Sequence, residues 1–216
     1  ELAQAGGMIF GRFADPDGPT LEAWLGPAFP ILKHVSSFAD RPVATVEYDV
    51  GAHWRYIHEI TLDDYHIVAI HPSTFGKNGY IPVDGVHYEQ IAAHSMYFRA
   101  GDAHSLQAMV EQCEAGELMP GRYRIIQIFP GLVISMVQAL SYLGDGYWYA
   151  MVMHILPVTH DRSKIVVRSF RMPQPATDQT WRRLARWLAW PSIDRVFSYY
   201  ARRVQTEDNV ACEHLQ

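Results

Sequence analysis

Cysteine is scarce. Cys113 and Cys212 are the only two among 216 residues, and they lie far apart. That excludes a disulfide framework and any local cysteine cluster for a metal, and two isolated thiols suit the reducing cytosol. Basic runs are absent too. Lys and Arg number 18 against 23 Asp and Glu, for a net charge of −5, so nothing electrostatic argues for nucleic acid as a partner. No apolar run reaches the length of a membrane span, and the one around residues 125–137 is interrupted by Pro130 and Gly131. A secretory leader pattern is lacking, as are internal repeats and low-complexity stretches. The chain starts Glu1-Leu2-Ala3-Gln4, without Met. A cytoplasmic protein with no membrane partner is expected, with a segment missing upstream.

Hydrophobic residues, by contrast, make up 49% of the chain, with six Trp and twelve Tyr. That suffices for one sizeable core in a single domain. Residues 7–13 read as a buried strand, Asp15-Pro16-Asp17-Gly18-Pro19 as a turn, and residues 21–32 as a short helix interrupted by Pro27 and Pro30. Residues 43–50 alternate apolar and polar, as a half-buried strand does. Residues 54–66 hold no Gly or Pro and can be helical; Pro72, Gly76 and Gly79 then impose a loop. Strands are predicted near 86–98, 123–129, 132–139, 148–157 and 164–172, with a helix over 105–116. Turns at Gly144-Asp145-Gly146 and at 159–163 suit antiparallel hairpins. Towards the C-terminus Asp178 can cap a helix bearing Trp181, Leu184, Ala185 and Leu188, which Pro191 ends. Ser192 can cap a second, with Ile193, Val196, Phe197, Tyr200 and Val204 on one stripe. Strands followed by terminal helices predict an α+β fold, an antiparallel sheet covered by helices on one face.

The chemistry concentrates in residues 54–72. On a helix, Glu59, Asp63 and His66 fall at i, i+4 and i+7 and share one face. Asp63 is one turn before His66, within reach of one imidazole nitrogen. A carboxylate there fixes the tautomer and leaves the other nitrogen for a metal. His71 follows five positions later, about 140° round an ideal helix. The helix must therefore end or distort before both histidines can meet one ion, and Pro72 disfavours helical geometry at His71. A distant carboxylate would complete the 2-His-1-carboxylate triad of non-haem Fe(II) oxygenases. The last helix offers Glu207 and Asp208, which flank its apolar stripe on opposite sides, and periodicity alone does not choose between them. His94 and His154 read as structural groups or as pocket-facing ones and are not assigned; Trp54 and Tyr65 read as packing residues.

Trp54, Glu59, Asp63, His66 and His71 resemble the catalytic-domain pattern of the Rieske-type non-haem iron oxygenases, in which Asn-Trp-Lys precedes acid-x3-Asp-x2-His-x4-His. Glu207-Asp208-x4-Glu213-x2-Gln216 is similar to the family segment whose Asp is the third iron ligand, which favours Asp208. Ile128-Phe129-Pro130-Gly131-Leu132 and Gly6-Gly7-Met8-Ile9-Phe10 resemble family strands. Departures are His53 and Arg55 beside Trp54, and Ile60 after the acid. No Cys-x-His…Cys-x2-His pattern occurs, so these 216 residues cannot ligate a Rieske cluster.

The resemblance implies a helix-grip fold and a single catalytic domain over residues 1–216, without its Rieske [2Fe-2S] domain and inactive alone. It implies a mononuclear Fe(II) held by His66, His71 and Asp208. Asp63 is then the catalytic relay joining His66 to the cluster of a neighbouring subunit. Electrons would come from NAD(P)H through a reductase or ferredoxin, and the intact enzyme would be a homotrimer or α3β3. An aromatic or other small organic substrate would be hydroxylated with O2, by mono- or dioxygenation, as in aromatic hydrocarbon catabolism. Two other readings stand beside it: a START-like binder of apolar ligands without metal, and a zinc hydrolase using the same triad. The first has no need for His66, His71 and Asp208 to converge; the second differs in its metal.

Overall fold

The computed structural model describes residues 1–62, 65–75, 86–99, 106–117, 123–139, 147–173 and 180–215. A two-stranded hairpin comes first, β1 (Leu2–Ala5) and β2 (Met8–Gly11), paired antiparallel. Its tight turn uses Gly6 at φ +59, where a Cβ would also overlap Ser36. The predicted buried strand at 7–13 is thus a surface one, with Met8 and Phe10 half-buried and Ile9 exposed. Two helices follow, α1 (Leu21–Leu25), capped by the Thr20 hydroxyl, and α2 (Ala28–Ser37). The break between them falls at Gly26, where φ is +52.

The main sheet has seven antiparallel strands: β3 (Ala44–Val50), β4 (Val86–Ile91), β5 (His94–Arg99), β6 (Tyr123–Ile128), β7 (Leu132–Ala139), β8 (Tyr147–Thr159) and β9 (Arg162–Arg171). Their order is β3-β9-β8-β7-β6-β5-β4. Residues 86–98, predicted as one strand, are the hairpin β4–β5, turned at Ala92, which adopts φ 53. No Gly, Asn or Pro marks that turn, so sequence punctuation could not reveal it.

Side chains alternate between the two faces of each strand. Met96, Phe98, Ile126, Ile128, Ile134, Met136, Trp148, Ala150, Val152 and Phe170 lie on one face, packed with α1, α2 and α5 (Leu106–Ala115). Tyr97, Ile125, Val133, Met153, Ile155 and Ile165 lie on the other, packed with α3 (Trp54–Ile60) and the end of α6 (Thr180–Glu213). The fold is α+β and helix-grip-like, with a smaller helical layer behind the sheet as well. Each fully buried Ile or Met of these layers contributes about 1.5–3 kcal/mol of transfer free energy.

The last helix departs from expectation. Pro191 lies inside a continuous α6 rather than ending it. Proline removes the N–H that would reach back to the Trp187 carbonyl. Trp187 is exposed, so water can satisfy that oxygen. Just beyond, Ile193 and Phe197 are buried, Phe197 stacks on Tyr149 with centroids 3.8 Å apart, and Asp194 accepts from Tyr149 Oη at 2.8 Å. Asp194 also pairs with Arg171. Tertiary contacts thus hold the helix across the proline. Trp181, Leu184, Trp187 and Leu188 are exposed on its first turns. The Asp178 cap and the Gly144-Asp145-Gly146 turn lie outside the described residues.

Candidate metal centre

The segment predicted as one helix over 54–66 is two. α3 ends at Ile60, and α4 (Tyr65–Ile70) begins four residues after Thr61. Two features stop α3. The Thr61 hydroxyl donates to the His58 carbonyl at 2.7 Å, and Gln127 Nε2 on β6 donates to the Thr61 hydroxyl at 2.6 Å. Gln127 Oε1 in turn accepts from Ser95 Oγ at 2.6 Å. This partly buried chain fastens the end of α3 to the sheet. Because the helix breaks there, Glu59 does not share a continuous face with His66. It is exposed and pairs with Arg55 at 3.2 Å. Asp63 lies outside the described residues.

His66 is in the first turn of α4, and His71 directly follows its last residue. The His71 N–H still donates to the Ile67 carbonyl at 3.1 Å. The helix then gives way at Pro72, and the Thr74 N–H closes a turn onto the His71 carbonyl at 3.3 Å. That exit brings the two imidazoles together, ring centroids 5.4 Å apart. The Phe75 ring makes T-shaped contacts with His71 and with Tyr200 of α6.

α6 supplies the acids. Asp208 is on its inner side, one turn before the buried Cys212. His71 Nε2 lies 2.9 Å from Asp208 Oδ1, and His66 Nε2 lies 3.7 Å from the same oxygen. One ligand atom from each of His66, His71 and Asp208 lies within 4.8 Å of the others. Glu207, the neighbouring carboxylate, turns to the opposite nitrogen: His71 Nδ1 donates to Glu207 Oε2 at 2.8 Å. Glu207 Oε2 also accepts from Thr74 Oγ1 at 2.7 Å, and Glu207 Oε1 accepts from Ser73 Oγ. Periodicity left these two acids undecided. The fold uses both, one at each nitrogen of the same ring. The hydroxyl pair Ser73-Thr74, directly after His71-Pro72, was the available sequence clue to Glu207.

Electrostatics follow from this arrangement. Burial by itself pulls the His71 pKa down, but the Asp208 and Glu207 carboxylates outweigh it and the net direction is up. For Glu207, burial pushes up and is outweighed by donation from Ser73, Thr74 and His71, so its carboxyl ionises more readily than usual. With Nδ1–H given to Glu207, a neutral His71 presents the bare lone pair of Nε2 towards Asp208.

Asp208 Oδ1 is buried and accepts no hydrogen bond among the described residues. The 2.9 Å approach of His71 Nε2 is therefore not an aligned N–H···O bond. A buried carboxylate oxygen without a donor is costly. An imidazole lone pair beside that oxygen suits a cation that both atoms could bind from one side. Two ligands on one ion, with bonds of about 2.1 Å, stand about 3 Å apart, which His71 and Asp208 already do. Two imidazoles and one carboxylate are the donor set of a non-haem Fe(II) facial triad and also serve Zn(II). The residues present fit such an ion.

The sequence matches the family described as ring hydroxylating alpha subunit (catalytic domain) over residues 39–216. Among curated proteins none matches it. Solved structures do resemble the fold. The quaternary ammonium Rieske monooxygenase CntA, bound to L-carnitine, superposes with a TM-score of 0.66 at 13% identity, covering 100% of this chain and 49% of that one. Naphthalene 1,2-dioxygenase from Rhodococcus sp., bound to indole, superposes with a TM-score of 0.63 at 20% identity, covering 99% of this chain and 53% of that one. At these identities the likeness is one of fold, and the chain spans about half the length of the structures it matches. With most of its length inside the family match, the chain belongs to the ring-hydroxylating alpha-subunit family, as a catalytic domain.

Proposed function

We propose that this chain is the oxygen-activating domain of a Rieske-type terminal oxygenase, with His66, His71 and Asp208 holding a mononuclear Fe(II). The observation that carries this reading is the convergence of these three side chains around a buried carboxylate oxygen that has no donor among the described residues. A ligand binder without metal gains nothing from that arrangement. Bound there, Fe(II) supplies the dioxygen chemistry that no side chain can perform.

The chain's own residues do the rest. Glu207 holds the His71 proton at Nδ1, so that Nε2 faces the ion position. Phe75, itself packed on Tyr200, puts an aromatic ring beside the buried His71 imidazole. The Gln127–Thr61 bond fixes where α3 ends, and so where α4 can begin. Asp63 is assigned the relay between a Rieske cluster and His66.

The substrate is an aromatic or other small organic molecule, hydroxylated with O2. Electrons reach the site from NAD(P)H through a reductase or ferredoxin and a [2Fe-2S] cluster. That cluster is not ligated by these residues, since Cys113 and Cys212, the only cysteines, are free and buried. The intact enzyme is a homotrimer or α3β3. The exposed stripe Trp181, Leu184, Trp187 and Leu188 offers apolar surface for a neighbouring subunit. No helix among the described residues is long and apolar enough to cross a membrane, and a cytoplasmic location is part of the proposal.

Metal analysis after anaerobic loading with equal Fe(II) and Zn(II) tests the reading. One iron per chain is expected, lost in Asp208→Ala. Zinc alone would favour a hydrolase, and no metal would leave an apolar-ligand binder.

A further inference from the structure

Glu207 is the carboxylate that a three-ligand account leaves over. We propose that it is the positioning residue of the metal centre, locking the ring orientation and tautomer of His71 so that Nε2 alone is offered to the ion. The inference rests on the metal-centre reading and adds a residue to it.

The geometry is that of a built cradle. Glu207 accepts from three donors: His71 Nδ1 at 2.8 Å, Thr74 Oγ1 at 2.7 Å and Ser73 Oγ. His71 and Thr74 are each 1% exposed, so two of these donors have no water to turn to. Both hydroxyls come from the turn that His71 itself begins, through the Thr74 N–H to His71 carbonyl bond. The carboxylate is therefore tied to the backbone that carries the imidazole as well as to the ring. Rotating the His71 ring by half a turn would bring a carbon where Nδ1–H now meets Glu207. It would cost a charge-assisted hydrogen bond, a stronger one than a neutral pair makes. A histidine ligand that donates its second N–H to a carboxylate is held in one tautomer and made a stronger donor to the metal. Asp208 cannot do this, because it faces the other nitrogen. A purely structural alternative exists, since the same three bonds pin the turn after α4 to α6.

Co(II) distinguishes the two, because its visible spectrum reports ligand geometry while titration reports affinity. The proteins are wild type, Glu207→Gln, Thr74→Val, His71→Ala and the double variant His71→Ala/Glu207→Gln. The thermal midpoint of each is also measured without metal. The positioning role predicts that Glu207→Gln weakens Co(II) binding about 10–100-fold and alters the spectrum. Thr74→Val, which only loosens the carboxylate, weakens it less. In the His71→Ala background Glu207→Gln has no further effect, because there is no ring left to orient. Unchanged affinity and spectrum in Glu207→Gln would overturn the proposal. So would an equal loss with and without His71, or a lowered metal-free midpoint at unaltered affinity. If Glu207→Gln does not fold, Thr74→Val carries the test by the same criteria. Failure of the wild type to bind Co(II) would instead remove the metal centre, and this inference with it.

Discussion

His71 and Glu207, 136 positions apart in the sequence, meet at 2.8 Å. With Asp208 beside the other nitrogen, this imidazole stands between adjacent residues of one helix, bonded to Glu207 and facing Asp208. A site built this way should be poorly optimised for stability without its ion. Asp208→Ala is therefore expected to abolish metal retention yet leave the metal-free protein within about 1 kcal/mol of wild type, or more stable, since it removes a buried oxygen that lacks a donor among the described residues. Urea unfolding of chelator-treated protein checks this. A loss of several kcal/mol would mean that Asp208 is held by contacts that the ion-free site does not reveal.

The second prediction concerns the bond that ends α3. Gln127→Leu leaves the hydroxyls of Ser95 and Thr61 without their buried partner. The expected cost is about 1–3 kcal/mol, with weaker metal binding because α4 no longer starts from a fixed point. Thr61→Val should cost less, since Gln127 keeps Ser95. The unfolding midpoints of the two variants should rank in that order.

Gly131 has no room for a side chain. A Cβ there would overlap the carbonyl oxygen of Ile155, a backbone atom that cannot swing away, and Ile155 itself donates to the Gly131 carbonyl at 2.7 Å. Gly131→Ala should destabilise by about 2 kcal/mol or more, in the range of backbone strain. Thermal unfolding measures it, and a near-neutral result would show that the β6–β7 turn can shift as a unit.

His94 gives the pH dependence. It is buried, its Nδ1 accepts from the Phe129 N–H at 3.2 Å, and its Nε2–H donates to the Trp24 carbonyl at 3.1 Å. Burial lowers its pKa, and the bond to the Trp24 carbonyl only partly opposes that. A folded-state pKa below the unfolded value near 6.5 means that the unfolded chain binds the proton more readily. The contribution of His94 is thus present above about pH 6.5 and is lost as pH falls below it. His34, His58 and His154 are lowered by burial too, so the comparison must be with His94→Gln. That variant should be less stable at pH 7.5 and lose less between pH 7 and pH 5. Parallel curves would show that His94 does not titrate with folding.

The strands were legible wherever apolar alternation met clear punctuation. The strand predicted at 132–139 is β7, and β6, β8 and β9 differ only at their ends. What escaped had its cause elsewhere in the chain. The end of α3 depends on Gln127, a distant residue on a strand. The β4–β5 turn uses Ala92 at positive φ, which no composition rule anticipates. α6 continues through Pro191 because Tyr149 and Arg171 hold the next turn. At the site, the spacing His66-x4-His71 and the Pro72 exit were readable, and the resemblance added Asp208. The division of labour between Glu207 and Asp208 was not readable, because it depends on how α6 is rotated against α4.

The central claim is a metal ion at one point in space. Crystals soaked anaerobically with Fe(II), with anomalous differences collected above and below the iron edge, test it most directly. The account predicts one iron peak within about 2.3 Å of His66 Nε2, His71 Nε2 and an Asp208 oxygen, with Glu207 still on His71 Nδ1. Iron bound through Glu207 instead, or no iron peak among these three residues at saturating Fe(II), would contradict it.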